Sequence, residues 1–203
     1  MVMLTSANDP VRERIVAAAL RAIGESGTAG LRVVAVAHEA GVSQGMIRYY
    51  FGDRQGLVDE ALARRFGERF GQFMGVFAER TKECSTPAEF RSVIQGVLEA
   101  VFVPERASVR LERNSDVGEA VARPALAAKI ALERDETLGD LRDIVADAQA
   151  RGLMRADLDP AAVAGLHLAM VHGCSMFELG ASSVGVDVLR QVYADALFAL
   201  IFD

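Results

Sequence analysis

Tryptophan is absent from this chain of 203 residues, and only two cysteines, three histidines, three tyrosines and five prolines occur. Each scarcity excludes something. Cys84 and Cys174 are too few and too unpatterned for a disulfide framework. His167, His172 and Cys174 are close in sequence, but steps of five and two residues put them on different faces of a helix, so no metal site is expected. No H-E-x-x-H, nucleophile elbow, P-loop or G-x-G-x-x-G pattern is read, so the expectation is no enzyme and no cofactor. No apolar run reads as a membrane span and Met1 to Pro10 lacks a signal-peptide core. A cytoplasmic protein with no membrane partner is expected. Glycine and proline are scattered, which excludes low complexity, and no internal repeat is found.

A surplus of positive charge is also lacking. The net charge is −6, which at first sight disfavours a nucleic-acid partner. Residues 1–55, however, hold Arg12, Arg14, Arg21, Arg32, Arg48 and Arg54 against Asp9, Glu13, Glu25, Glu39 and Asp53, six minus five, or +1. The remainder carries −7. A near-neutral head on an acidic body is compatible with DNA, because only the docking face need be positive.

What is present is helical pattern, with hydrophobic residues at 51% of the chain, enough for a sizeable core. Asp9-Pro10 reads as a helix start, and Ile15, Ala18, Ala19, Ala22 and Ile23 give that helix one apolar face to about Ser26. A short helix from about Arg32 to Glu39 follows. Ala40-Gly41 breaks it, Gly41 supplying the left-handed corner. Ser43 stands where an N-cap belongs, and a second short helix runs from about Gln44 to Tyr50. Two short helices around a Gly-containing turn are a helix-turn-helix. Val36, Ala37, Val42, Ile47 and Tyr50 point inward, leaving Gln44, Gly45, Met46 and Arg48 outward at the helix start that meets base edges.

From Val11 to Leu57 the chain resembles the DNA-binding domain of the TetR family of bacterial regulators. Arg14-Ile15, Ala18-Ala19, Gly27, Val36-Ala37, Gly41-Val42-Ser43, Gly45, Tyr49-Tyr50-Phe51, Arg54 and Leu57 carry the resemblance. Leu31 and Arg32 stand where the family usually has Ser or Thr, and Met46-Ile47-Arg48 replaces its common Thr-Leu-Tyr. These swaps bear on the target sequence, not the fold. The resemblance implies an all-α chain with a helix-turn-helix DNA-binding domain at 1–55 and a helical ligand-binding and dimerisation domain at 56–203. It implies a dimeric, ligand-responsive transcriptional regulator, a repressor released from a palindromic operator by a small hydrophobic effector. Double-stranded operator DNA, the effector and a second copy of the chain are then the partners. Expected DNA contacts are Arg32, Ser43, Gln44, Gly45, Met46, Arg48, Tyr49, Tyr50 and Arg54. Arg48 and Gln44 are assigned to base edges, and Arg32, Ser43, Tyr50 and Arg54 to phosphates.

Beyond the head, a long helix from near Asp53 to about Lys82 carries Phe66, Phe70, Phe73 and Phe77 as an aromatic stripe. The stripe is either core or the lining of a ligand cavity. Thr86-Pro87 opens a helix with Phe90, Val93, Ile94, Val97, Leu98 and Val101 inward. Further helices follow from Pro104-Glu105 to Gly118 and from Arg123-Pro124 to Arg151-Gly152. Candidate ligand contacts are the four stripe residues with Phe90, Val97, Val101, Arg110, Asn114, His167, Met170, Cys174 and Phe177. The last two helices, about Pro160 to Leu179 and Val184 to Phe202, are apolar enough to be buried on two sides. The candidate dimer contacts are Ala169, Gly173, Val188, Leu189, Val192, Ala196, Leu197 and Leu200. The alternative reading is a helical ligand-binding or adaptor protein that has lost operator binding, with Arg48 in the family's aromatic position as its best argument.

Overall fold

A computed structural model describes residues 9–180 and 184–202, without side-chain detail at residues 70, 72 and 73. The described residues form nine α-helices, two short 3-10 turns and no strand. The chain divides into two compact units: Met1–Phe66 with Glu119–Glu133, and Gly67–Gly118 with Arg134–Asp203.

In the first unit, helix α1 (Pro10–Gly30) starts as its sequence predicts, with the Asp9 carboxylate accepting from Val11 N at 2.9 Å and Pro10 in the first turn. Gly27, at φ 69° and ψ 175°, interrupts it. Helix α2 (Val33–Ala40) ends at Gly41, whose φ of 66° and ψ of 39° are left-handed and let the next amides close back onto the carbonyls of Ala37 and His38. Ser43 Oγ accepts from Met46 N at 3.3 Å and starts helix α3 (Gln44–Phe51), which stops at Gly52, φ 79°. Helix α4 (Arg54–Glu83) begins at once. A Cβ on Gly56 would meet the Phe51 carbonyl oxygen at 2.0 Å, so only glycine lets these two backbones come so close.

The compact unit extends past residue 55 because the first turns of α4 are apolar: Leu57, Val58, Ala61, Leu62 and Phe66 are buried, as are Ile15, Val16, Ala19, Leu31, Val36 and Ile47. Phe66 therefore belongs to the core of this unit and is not in the wall of the cavity described below. The start of helix α7 (Pro124–Ala150) contributes buried Leu126 and Ile130. Glu60 takes ion pairs from Arg12 and Lys129, and Arg64 is bidentate on Glu13 at 2.7 and 2.9 Å. Asp59, itself buried, pairs with Arg123.

The second unit is built from the rest of α4 and α7, together with helices α5 (Pro87–Phe102), α6 (Ala107–Val121), α8 (Pro160–Cys174) and α9 (Val186–Phe202). Thr86 and Glu89 form a reciprocal capping box at the start of α5. Helix α5 packs on α9, and the buried cluster there runs from Phe90, Ile94, Leu98 and Phe102 to Tyr193, Ala194, Leu197, Phe198 and Ile201. Arg91 lies over the Phe198 ring, 4.4 Å from its centre.

Three arginines close helix ends in the same way. Arg54 donates to the carbonyls of Thr28, Ala29 and Leu31 at the end of α1. Arg110 donates to Val101 and Val103 at the end of α5, and Arg151 to Thr81, Lys82 and Cys84 at the end of α4. The final carbonyls of a helix have no partner within it, and a cation there also meets the negative end of the helix dipole.

One sequence expectation fails here. Pro160–Glu178 is long and apolar enough to cross a membrane by length and composition, with a mean hydropathy of 1.3. Only 33% of that stretch is buried, and it changes from α-helix to a 3-10 turn at Ser175. Its inner face, Val163, Ala164, Leu168, Val171 and Cys174, packs in the core of the unit. Its outer face carries Leu166, Ala169, Met170 and Gly173 in the open.

Candidate nucleic-acid interface and ligand cavity

Helix α3 has two faces. Ile47 is 1% exposed and anchors it, with Met46 and Tyr50 half-buried beside it. Gln44, Gly45, Arg48 and Tyr49 stand in solvent, Tyr49 at 61% exposure. Arg32, the N-cap residue of α2, is exposed and makes no capping bond with its side chain. Met46 is thus less outward than its position at the helix start suggests.

The cations of this unit fall into two groups. Arg12, Arg21, Arg64, Arg123 and Lys129 sit in ion pairs, Arg14 and Arg54 donate to backbone carbonyls, and Arg65 also has a partner. Arg32 and Arg48, among the described residues, have no ion pair. They are the guanidiniums left facing solvent beside the helix-turn-helix.

Two of the expected phosphate contacts, Tyr50 and Arg54, make bonds within the unit. Tyr50 donates its hydroxyl to Asp9 Oδ2 at 2.6 Å, tying the end of α3 to the cap of α1. That bond, more than the Val11 amide, holds the Asp9 carboxyl below its usual range, and the carboxylate pushes the Tyr50 phenol up. Arg54 is occupied by the α1–α2 turn, with Nε 3.0 Å from Leu31 O. Neither role was legible from spacing, because each joins residues more than twenty positions apart.

The string Gly41-Val42-Ser43-Gln44-Gly45 does spell G-x-S-x-G, contrary to the reading of the sequence above. A nucleophile elbow requires a strand-to-helix turn. Here the string joins two helices, and its serine hydroxyl is the N-cap of α3.

The second unit holds a partly open cavity of about 110 Å³. Most of its wall is apolar, and Phe77, Phe90, Val97 and Val101 line it as expected, joined by Ile94, Leu98, Leu141, Met154, Leu168 and Ile201. Its polar lining is Arg69, Arg106, Arg110, Arg113, Thr137 and His167. Arg110 and His167 were anticipated; Arg69, Arg106 and Arg113 were not. The signal was available, since 106, 110 and 113 fall on one helical face. Asn114, Met170, Cys174 and Phe177 are not in the wall. Asn114 Nδ2 donates to Ser175 Oγ at 2.6 Å and its Oδ1 meets His172 Nδ1 at 3.1 Å. Met170 and Phe177 face solvent, and Cys174 is buried in the core with its thiol pushed up by desolvation. The side chains of Phe70 and Phe73 lie outside the described residues.

Arg110 is 2% exposed and held by Glu178, which takes Nε at 2.8 Å and also Nη2. Arg69 pairs with Glu112. Burial pushes the Arg113 guanidinium down to about 10, helped by the charges of Arg110, Arg69 and Arg106. His167 and His172 are pushed down to about 4, by desolvation first and by Arg113 second. His167 Nδ1 lies 2.6 Å from the Tyr193 hydroxyl.

Helix α9 corrects one dimer candidate. Leu197, 6% exposed, lines the cavity from inside the chain's own core. It shares its face with Tyr193, Ala194, Phe198 and Ile201, whereas Val188, Val192 and Ala196 lie on the opposite, exposed face. Leu189 and Leu200 are half-buried; Ala169 and Gly173 of α8 are exposed.

The described residues combine a capped, braced helix-turn-helix with a largely apolar cavity. Residues 15–61 match the family described as bacterial regulatory proteins, tetR family. It is 34% identical over 85 residues to an HTH-type transcriptional regulator BetI of Ectopseudomonas mendocina, a match spanning 42% of this chain and 43% of that relative. A solved TetR-family transcriptional regulator from Rhodococcus sp. is similar over 94% of this chain and 97% of its own, at 28% identity and a TM-score of 0.68. A transcriptional regulator from Saccharomonospora viridis, solved in complex with choline, shares the fold over 95% of this chain and 97% of its own, at 22% identity and a TM-score of 0.61. These are regulators, not enzymes.

Proposed function

We propose that the chain is a dimeric transcriptional repressor of the cytoplasm that binds a palindromic operator and leaves it when a small molecule occupies the cavity. The observation that carries this reading is the division of cations around α3. Seven other cations of this unit have an ion pair or a carbonyl acceptor, while Arg32 and Arg48 face solvent on either side of the turn. Arg48 suits the O6 and N7 acceptors of guanine, and Gln44 a neighbouring base edge. Arg32, Tyr49 and the first amides of α3 suit phosphates. The exposed apolar residues of α8 and α9, Leu166, Met170, Val188 and Val192 among them, support a homodimer, since a stripe of this kind in the open marks an interaction surface. Two such heads read half-sites about one helical turn, or multiples of it, apart. The choline-bound neighbour supports a ligand for the cavity without saying which.

The test is a salt-dependent fluorescence anisotropy titration on a fragment from the chain's own promoter region. Specific binding that Arg48→Ala weakens is expected. No binding above background by the wild-type protein hands the function to the adaptor reading.

A further inference from the structure

We propose that the cavity takes a small neutral molecule with a carbonyl oxygen, a ketone, ester or lactone on a compact apolar body, and that the Nε2–H of His167 donates to that oxygen. The Tyr193 phenol is 4% exposed, and His167 Nδ1, at 2.6 Å, is its hydrogen-bond partner among the described residues. A buried hydroxyl proton needs an acceptor. Were Nδ1 protonated, the phenol oxygen would accept and its own proton would be stranded. Tyr193 therefore donates to Nδ1, and the imidazole carries its proton on Nε2. The ring stays neutral at ordinary pH, since desolvation first and Arg113 second push it down to about 4.

Nε2 has no hydrogen-bond partner among the described residues. His167 lines the cavity and Tyr193 does not, so the edge of the imidazole away from Nδ1 is what a ligand meets. His167 keeps some accessible surface while Val163, Ala164, Leu168 and Val171 beside it on α8 are buried, and desolvation still governs its protonation. That combination puts its surface on the cavity and not on bulk water. The charges in the wall are otherwise engaged: Arg110 with Glu178, Arg69 with Glu112, and Arg106 and Arg113 in interactions of their own. A carboxylate would give up its hydration to enter a mostly apolar wall, which favours a neutral oxygen. At about 110 Å³ the space suits one small ring; an apolar cavity of about 150 Å³ takes benzene.

This rests on the cavity being the effector site, but the test needs no DNA. Ligand-observed NMR titration of the full chain compares cyclohexanone with methylenecyclohexane, the same ring without an acceptor, and with cyclohexanecarboxylate. His167→Phe is expected to weaken cyclohexanone about tenfold and methylenecyclohexane less than about twofold, which also shows the cavity intact. On the wild-type chain the infrared carbonyl stretch of bound cyclohexanone should lie below its value in cyclohexane. Nitrogen NMR should find the His167 proton on Nε2 in the wild type and shared between both nitrogens in Tyr193→Phe, with cyclohexanone weakened there too. An equal loss of ketone and alkene in His167→Phe, an unshifted carbonyl stretch, a wild-type proton on Nδ1, a carboxylate bound more tightly than the ketone, or no binding of cyclohexanone overturns the proposal. Cyclohexanone that binds through His167 but leaves operator occupancy unchanged retires the effector reading and spares this one.

Discussion

Lowering the pH from 7 to 5 should destabilise this protein through two imidazoles. His167 and His172 are pushed down from 6.5 to about 4 in the folded chain, by desolvation and then by Arg113. As pH falls, the unfolded chain takes up these protons first, near 6.5, while the folded chain resists until about 4. The stability is therefore complete above 6.5 and is lost on the way down to 4. At pH 5 the unfolded form has gained roughly 1.5 pH units of advantage, or ~2 kcal/mol per histidine and ~4 for the pair if they act independently. That is a large part of the 5–15 kcal/mol or so that holds a typical domain folded. The window is clean, because Glu13, Glu60 and Glu89 are held below 4.5 in the folded state and cost stability only as pH falls beneath that value. Urea denaturation at pH 7 and pH 5, at one protein concentration, measures the difference. His167→Gln and His172→Gln lower stability at both pH values through lost packing, and each should remove about half of the pH-dependent part. A wild-type loss below about 1 kcal/mol, or a double variant that keeps the full loss, refutes the reasoning.

Arg48→Ala should cost roughly 1–3 kcal/mol of operator affinity per half-site and relax preference at one base pair, read by anisotropy over operator variants. Arg54→Ala should lower the thermal midpoint with its three carbonyl partners left bare, and should leave the salt slope of DNA binding unchanged by circular dichroism and titration; a slope reduced by about one unit would restore Arg54 as a phosphate ligand. Val192→Glu, on the exposed face of α9, should shift a dimer toward monomer in light scattering, while Leu197→Ala should cost about 2–5 kcal/mol of stability without that shift. If a ligand that fills the cavity weakens operator binding, operator must weaken that ligand's binding by the same factor, typically about 1–3 kcal/mol, and calorimetry with and without operator checks the equality.

The helix-turn-helix was legible because its determinants are local. Asp9-Pro10, Gly41, Ser43 and Gly52 act within a turn of where they stand, so order and spacing suffice to place α1, α2 and α3. The braces were not legible: Tyr50 meets Asp9 across 41 positions, and Arg54 meets Leu31 across 23. A solvent-facing arginine and one that closes a helix are the same letter in a sequence. The same blindness misplaced Leu197, since a helix apolar on two sides does not say which side is the chain's own core. In the cavity the stripe supplies only Phe77 among the described side chains, and the other anticipated apolar lining, Phe90, Val97 and Val101, comes from α5. The cavity's arginine face was hidden because charges on a helix ordinarily mean solvent, and only packing shows which of them are enclosed.

The division of α3 into an anchored and an open face also makes the head a cassette. Ile47, the Tyr50–Asp9 bond and the side-chain-free contact of Gly56 with the Phe51 carbonyl fix where the helix lies. Gln44, Gly45 and Arg48 take no part in that anchoring, and Tyr49 meets it only through the edge of the Tyr50 ring, 5.1 Å between centres. Random libraries at those four positions should therefore yield folded proteins with new operator preferences, whereas a methyl group added at residue 56 would shift every one of them at once.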